Sequence, residues 1–237
     1  ASDNAVGGVT AGSGNLISGN GGAGVHIYGA LAQGNFVQGN YIGTDKSGGA
    51  ALGNGDDGIE IQAGSGNHIG GTTGTTAGGP CTGACNLISG NSFVGIQIFS
   101  TDGSNAADNL VQGNFIGTNL DGVVLPLLGN AGDGIQIQDA TGTIVGSRML
   151  AHGDPLPGRG PCQGACNRIA GNGGDGVDVR GETANRNTIR QNAIYENGRL
   201  GINLAKNDRP DPGNPAETDG VTPNDYDDSD VGPNGLA

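Results

Sequence analysis

The ten-residue stretch NFVQGNYIGT at residues 35–44 returns almost unchanged as NLVQGNFIGT at residues 109–118. Each copy contains two short apolar segments separated by Gly-Asn, and an alternating tetrapeptide follows, GIEI at 58–61 and GIQI at 134–137. Alternation with a period of two places the Ile and Val side chains on one side of a strand, whereas Gly and Asn favour turns. The stretch therefore predicts three short strands that together make one turn of a coil.

The same three motifs occur six times in a fixed order. Motif A lies at 4–8, 35–40, 67–71, 109–114, 143–147 and 187–192. Motif B lies at 15–20, 41–44, 86–91, 115–118, 167–172 and 193–197. Motif C lies at 24–27, 58–61, 95–98, 134–137, 176–179 and 201–204. This repetition predicts an all-β, right-handed parallel β-helix of six coils with three short strands each, roughly 29 Å long at the usual strand spacing.

A second period of two coils overlies the first. Long inserts separate motifs A and B at 72–85 and 148–166, but motifs B and C at 45–57 and 119–133. We therefore predict a β-helix over 1–205, built from two-coil units at about 1–62, 63–138 and 139–205. An irregular, acidic Pro/Asp-rich tail at 206–237 follows the last unit.

Composition narrows the classes of partner. The formal charge is −13 with only ten lysines and arginines, so binding to nucleic acid is not expected. The longest apolar run, VVLPLL at 123–128, is too short to cross a bilayer, and no membrane insertion is expected. The chain opens with Ala-Ser-Asp, which we interpret as the start of a mature or excised piece.

Four cysteines form two C-x₃-C pairs just before motif B, in coils three and five. Two coils correspond to about 9.6 Å, beyond the reach of a disulfide at about 7 Å. We therefore predict local disulfides Cys81–Cys85 and Cys162–Cys166, with free thiols or a zinc site as alternatives. Oxidised pairs indicate an extracellular or periplasmic protein.

Asparagines recur at the ends of the strands. Asn tolerates the left-handed backbone conformation, and its side chain can bond to the backbone or to other amides in a ladder. We predict a structural role in turns for Asn20, Asn40, Asn91, Asn114, Asn172 and Asn192.

The outward residues of motif C predict two columns along the rod. One contains His26, Glu60, Gln97, Gln136, Asp178 and Asn203. The other contains Tyr28, Gln62, Phe99, Gln138, Arg180 and Ala205. Amides, acids and aromatic rings on a flat sheet would suit a sugar chain, and a solvated polar face is the alternative interpretation.

The sequence assigns no catalytic residue, and it leaves enzymatic activity open. Glu60 and Asp178 lie three coils apart, roughly 14 Å, whereas glycosidase carboxylates lie about 5–9.5 Å apart. The remaining candidates are His26 and Tyr28, on one strand, and Glu60, on the neighbouring strand of the next coil. Asp57, Asp133 and Asp175 precede motif C in repeated turns, which indicates capping. His152 and Asp154 are expected in a loop.

The tail carries aspartates at alternating spacing, which suits Ca²⁺, although a solvated acidic tail explains them equally well. These residues are Asp225, Asp227, Asp228 and Asp230. No other cofactor is required.

The segments NLISGN, NFVQGNYIGT, GNGDDGIEI and VTPNDYDDSDVGPNGL resemble the β-helix repeats of large secreted bacterial surface proteins, within the pectate-lyase-like superfamily. The resemblance implies the fold and a secreted, cell-surface location. The wider superfamily includes pectate lyases, polygalacturonases and alginate epimerases, so the resemblance does not fix an activity.

The function that the sequence favours is a non-enzymatic extracellular structural or adhesive module, a cell-surface stalk or fibre building block. The repeat spans an integral number of coils without a capping helix, so flanking modules or head-to-tail self-association are the expected partners. The alternative is a polysaccharide-binding or polysaccharide-degrading protein of the lyase or epimerase type, with glycans as partners.

Overall fold

The computed structural model describes residues 1–76, 78–101, 103–147 and 162–205. The predicted tail at 206–237, with its four candidate calcium ligands, lies outside the described residues. So do His152 and Asp154.

The described residues form eighteen short strands in three parallel sheets. Sheet A contains β1 (Ala5–Gly7), β4 (Phe36–Gln38), β7 (His68–Gly70), β10 (Leu110–Gln112), β13 (Ile144–Gly146) and β16 (Thr188–Arg190). Sheet B contains β2 (Leu16–Ile17), β5 (Tyr41–Ile42), β8 (Leu87–Ile88), β11 (Phe115–Ile116), β14 (Arg168–Ala170) and β17 (Ala193–Tyr195). Sheet C contains β3 (Val25–Tyr28), β6 (Ile59–Gln62), β9 (Ile96–Phe99), β12 (Ile135–Gln138), β15 (Val177–Arg180) and β18 (Ile202–Ala205).

The three sheets confirm the right-handed parallel β-helix of six coils. Every strand pairs with its equivalent in each neighbouring coil, in the register that the motifs predict. Ile59, Ile96 and Ile135 stand directly above one another in sheet C, and each is fully buried. The core is thus a stack of like β-branched side chains, which pack well on a pleated surface.

Glycine, not asparagine, makes the tight turns. The φ angle is positive at Gly39, where an added Cβ would lie 2.2 Å from the Gly8 carbonyl oxygen. Among the described residues eight non-glycine residues have a positive φ, and none of them is asparagine. The asparagines therefore do not use the left-handed conformation that Asn tolerates, because a neighbouring residue, usually glycine, adopts it instead.

The asparagines instead form three ladders, one beside the start of each motif, that bond each coil to the next. In most steps the backbone N–H of one asparagine donates to Oδ1 of its equivalent in the next coil, as in Asn40 to Asn86 at 3.0 Å, and from Asn130 to Asn172 the side-chain amide donates instead. The complete ladders run through Asn15, Asn40, Asn86, Asn114, Asn167 and Asn192, and through Asn20, Asn54, Asn91, Asn130, Asn172 and Asn197. In the third ladder, Asn4, Asn35, Asn67, Asn109 and Asn187, threonine replaces asparagine in coil five.

The two-coil period has a direct structural basis at the end of motif A. Gln38 donates its side-chain amide to the Gly70 carbonyl at 2.9 Å, and Gln112 does the same to Gly146 at 2.7 Å. A long side chain in each even coil thus lies over a glycine in the following odd coil. A side chain at Gly70 would clash, because its Cβ would lie 2.1 Å from the Gln112 carbonyl oxygen.

Candidate functional site

The two outward columns of motif C lie side by side on sheet C, as the sequence predicts. His26 pairs with Glu60, Glu60 with Gln97, and Gln97 with Gln136. The second column, from Tyr28 to Gln62 and Phe99, follows the same register. In the later coils Gln138 pairs with Arg180, and Asp178 pairs with Asn203. We call this surface the sheet-C face.

Exposure is uneven along the sheet-C face. Tyr28 is 67% exposed at the first coil, whereas Gln136 and Asp178 are only 2% and 4% exposed. Gln136 accepts a hydrogen bond from the Gln97 amide at 2.7 Å and donates one to Asp133 at 3.1 Å. The most exposed residues of the face, His26 and Tyr28, therefore lie in coil one, and the amides of Gln136 and Asn203 further along have internal partners.

His26, Tyr28 and Glu60 do lie together. Nε2 of His26 is 3.6 Å from a Glu60 carboxylate oxygen, and the rings of His26 and Tyr28 are 5.6 Å apart. Arg180 lies on β15, four strands from β3, where it pairs with Asp178 at 3.4 Å. The three candidates form one polar cluster, but the sheet supplies no cation beside it to hold an acidic substrate.

The aspartates before motif C cap turns, as predicted. Oδ1 of Asp57 accepts the backbone N–H of Val94 at 2.9 Å, and Asp133 accepts that of Asp175 at 2.7 Å. Asp175 in turn accepts the N–H of Leu200. The pKa of Asp57 is raised to about 7, chiefly by burial and to a smaller extent by the charges of Asp56 and Glu60, while the hydrogen bond from Val94 opposes the rise.

Both local disulfides are present, Cys81–Cys85 and Cys162–Cys166, with Cα atoms 5.4 and 5.2 Å apart. The first of them contributes to a second apolar cluster outside the coil. This outer cluster covers sheet B and contains Tyr41, Cys81, Cys85, Leu87, Phe115 and Leu120. It joins the insert of coil three to the insert of coil four, and motif periodicity gave no sign of it, because only the inserts cover these outward residues.

Other features of the described residues add no stronger site. A groove of about 220 Å³ lies beside His68, Leu110 and Thr72, smaller than a usual ligand pocket of about 300–1,000 Å³. A wider trough of about 730 Å³ lies near Leu31, Gln33 and Asp108. The described ranges contain no group of three or more His, Cys, Asp or Glu residues suited to a metal ion.

Within the same ranges, no helix has the length and apolar character needed to cross a membrane. Comparison with models of known protein families, with curated proteins and with solved structures found no match. The assignment of function therefore depends on the geometry of this chain.

Proposed function

We propose that this chain is a non-enzymatic extracellular structural module, a rigid rod that serves as a stalk segment or fibre unit. The observation that carries the proposal is the continuous hydrogen bonding between coils. Three sheets and three asparagine ladders connect nearly every coil to its neighbours. A solenoid with this many repeated contacts resists bending because each coil is fixed against the next.

Two further observations support this role. The polar groups of the sheet-C face mostly bond to one another, as Gln97 does to Gln136, which leaves few groups to position a substrate. All four cysteines are paired, and disulfides persist in oxidising compartments outside the cytosol.

The competing function is polysaccharide binding or cleavage at His26, Tyr28 and Glu60, the accessible polar cluster. The test is a screen of neutral and uronate polysaccharides for retention of the protein and for unsaturated or reducing products. We expect neither. Turnover or retention that disappears in His26→Ala and Glu60→Gln, but persists in Lys46→Ala in the insert of coil two, would overturn the structural role.

The extracellular part of the proposal has its own test. Protein exported by a bacterial host and denatured without reductant should take up no thiol reagent. Protein made in a reducing cytosol should react at up to four thiols. Full labelling of the exported protein would contradict an oxidising site of action.

A further inference from the structure

The two ends of the helix expose the cross-section of its core. Inward side chains of coils two to five are buried, whereas those at both ends, apart from Ile27, are only partly buried or exposed. At the last coil, Ile202 is 40% exposed and Leu204 is 56% exposed. The partly buried residues are Val6, Ile17 and Val25 at the first coil, and Ile189 and Ile194 at the last. Open strand edges with apolar side chains favour pairing with another chain.

The hydrogen-bonding groups at the two ends are complementary. Inside the helix, most ladder steps join a backbone N–H to Oδ1 of the asparagine in the next coil. At the last coil the backbone N–H groups of Asn187, Asn192 and Asn197 have no acceptor among the described residues. At the first coil Oδ1 of the equivalent asparagines has no donor within the described ranges; these are Asn4, Asn15 and Asn20.

The two-coil period would also continue correctly if the last coil of one copy were placed against the first coil of another. Arg190 in coil six occupies the position of Gln38 and Gln112, the long side chains that reach a glycine in the next coil. Gly7 occupies the position of those glycines in coil one. A last coil placed beneath a first coil would therefore direct the Arg190 guanidinium toward the Gly7 carbonyl, which accepts no hydrogen bond from the described residues.

Charge favours the same arrangement. Asp3 and Arg186 occupy equivalent positions, each directly before a ladder asparagine and each with a positive φ. Both side chains are exposed. The opposite charges of Arg186 and Asp3 would therefore attract each other where the last coil of one copy meets the first coil of another.

We propose that the last coil of one copy binds the first coil of a second copy in register, so that all three sheets and all three asparagine ladders continue between them. This inference rests on the proposed structural role and names its partner, a second copy of this chain. The contact joins two different surfaces and continues the axis of the helix, so it gives linear assemblies instead of a closed ring.

The test is sedimentation velocity of the full 237-residue chain over a range of concentrations, with negative-stain microscopy of the same samples. The wild type should form rods whose lengths are multiples of one unit. Arg190→Glu should raise the dissociation constant by about ten-fold or more, since it sets a carboxylate against a carbonyl. Lys46→Glu, the same change of charge in an exposed insert away from both ends, should leave the constant unchanged.

A charge exchange tests the register itself. Arg186→Asp alone and Asp3→Arg alone should each weaken association, and the double variant should recover it, because only then do opposite charges meet again. Recovery requires that these two positions are neighbours across the junction. Equal weakening by all three variants would contradict the proposed register.

Three other outcomes would overturn the proposal. Rods of a single length at every concentration exclude end-to-end contact, and wider rods of constant length indicate side-by-side contact. Slow amide exchange at Asn187, Asn192 and Asn197 in dilute single rods would show that another part of the same chain covers the last coil. None of these outcomes affects the structural role, which the polysaccharide screen tests separately.

Discussion

At the residue scale, the asparagine ladders carry much of the specificity of the fold. Nearly every internal asparagine accepts hydrogen bonds from the coil before it and donates to the coil after it, and nearly all are buried. A hydrogen bond of this kind contributes about 1 kcal/mol, and a buried polar group without a partner costs about 1–3 kcal/mol. One position breaks the pattern. Thr143 replaces asparagine in coil five, and its buried hydroxyl has no partner among the described residues.

Thr143→Asn should therefore stabilise the protein by about 1 kcal/mol. The new Oδ1 would accept from Asn109, and the new amide would donate to Oδ1 of Asn187, which already accepts the backbone N–H of residue 143. Asn109→Thr is the matched control, which removes a ladder residue and should destabilise by a similar amount or more. Urea unfolding measures both. A Thr143→Asn variant that is no more stable than wild type would show that the missing ladder hydrogen bonds do not limit stability at this position.

Asp57 is the residue whose ionisation opposes folding. Its pKa is about 7 in the folded protein, above the value of 3.8 of an ordinary aspartate, chiefly because it is buried. The folded state thus holds a proton that the unfolded chain releases between about pH 4 and pH 7. Since the unfolded state binds fewer protons in this range, stability falls as the pH rises through it.

Asp57→Asn should remove this pH dependence. The asparagine keeps an oxygen to accept the N–H of Val94 but cannot ionise. We expect little change in the free energy of unfolding at pH 4 and a gain on the order of 2 kcal/mol at pH 8. Denaturant unfolding at both pH values measures the difference. Asp56→Asn, which removes only a neighbouring charge, should give a smaller gain in the same direction, and equal effects at the two pH values would be inconsistent with ionisation as the cause.

At the scale of strands and inserts, periodicity was sufficient for the sheets. Motif C has a strict period of two, so the inward Ile59 and Ile61 and the outward Glu60 and Gln62 could be assigned from sequence, and the registers confirm them. Burial of the outward residues could not be assigned in this way. Leu87 and Phe115 point away from the coil, yet the outer cluster buries them completely. A repeat predicts which residues stack, but not which insert covers them.

The local stability of the inserts should be separable from that of the coils that carry them. Replacing Cys81 and Cys85 by serine opens a five-residue loop, which costs about 2 kcal/mol in the chain-entropy account. We expect the loss to concentrate in the insert 72–85, where the N–H groups of Thr82 and Ala84 bond to Gly74 and Thr73. Hydrogen exchange should accelerate at these amides while Ile88 in β8 and Ile96 in β9 remain protected.

Leu120→Ala provides the complementary variant, since it leaves the disulfide intact and removes a side chain from the outer cluster. It should loosen the contact between the two inserts and leave Cys81–Cys85 oxidised. Loss of protection in β8 and β9 in either variant would show that the outer cluster is part of the folding core, contrary to this division.

At the scale of the whole molecule, contacts between strands join each coil mainly to its immediate neighbours. In such a solenoid, stability is approximately a sum over repeats and interfaces, and repeats can be removed if the new interface matches the old one. Here the interface depends on whether a coil is odd-numbered or even-numbered, which we call its parity. An even coil places Gln38 or Gln112 over a glycine of the next odd coil, so neighbouring coils are not interchangeable although their strands are alike.

Deletion of residues 63–138, one complete two-coil unit, should therefore give a folded protein. Gln62 would be followed by Asp139, as Gln138 is now, and Gln38 would lie over Gly146 in place of Gly70.

Deletion of 63–99, a single coil, is the matched control, because it places Gln38 over Gln112, where the glycine is missing. We expect the first variant to unfold cooperatively, with its rod shorter by about 9.6 Å in solution scattering. The second should be markedly less stable per coil, because two long side chains compete for the space of one. Equal stability per coil in the two variants would mean that parity does not govern the stacking, and that any coil of this helix can follow any other.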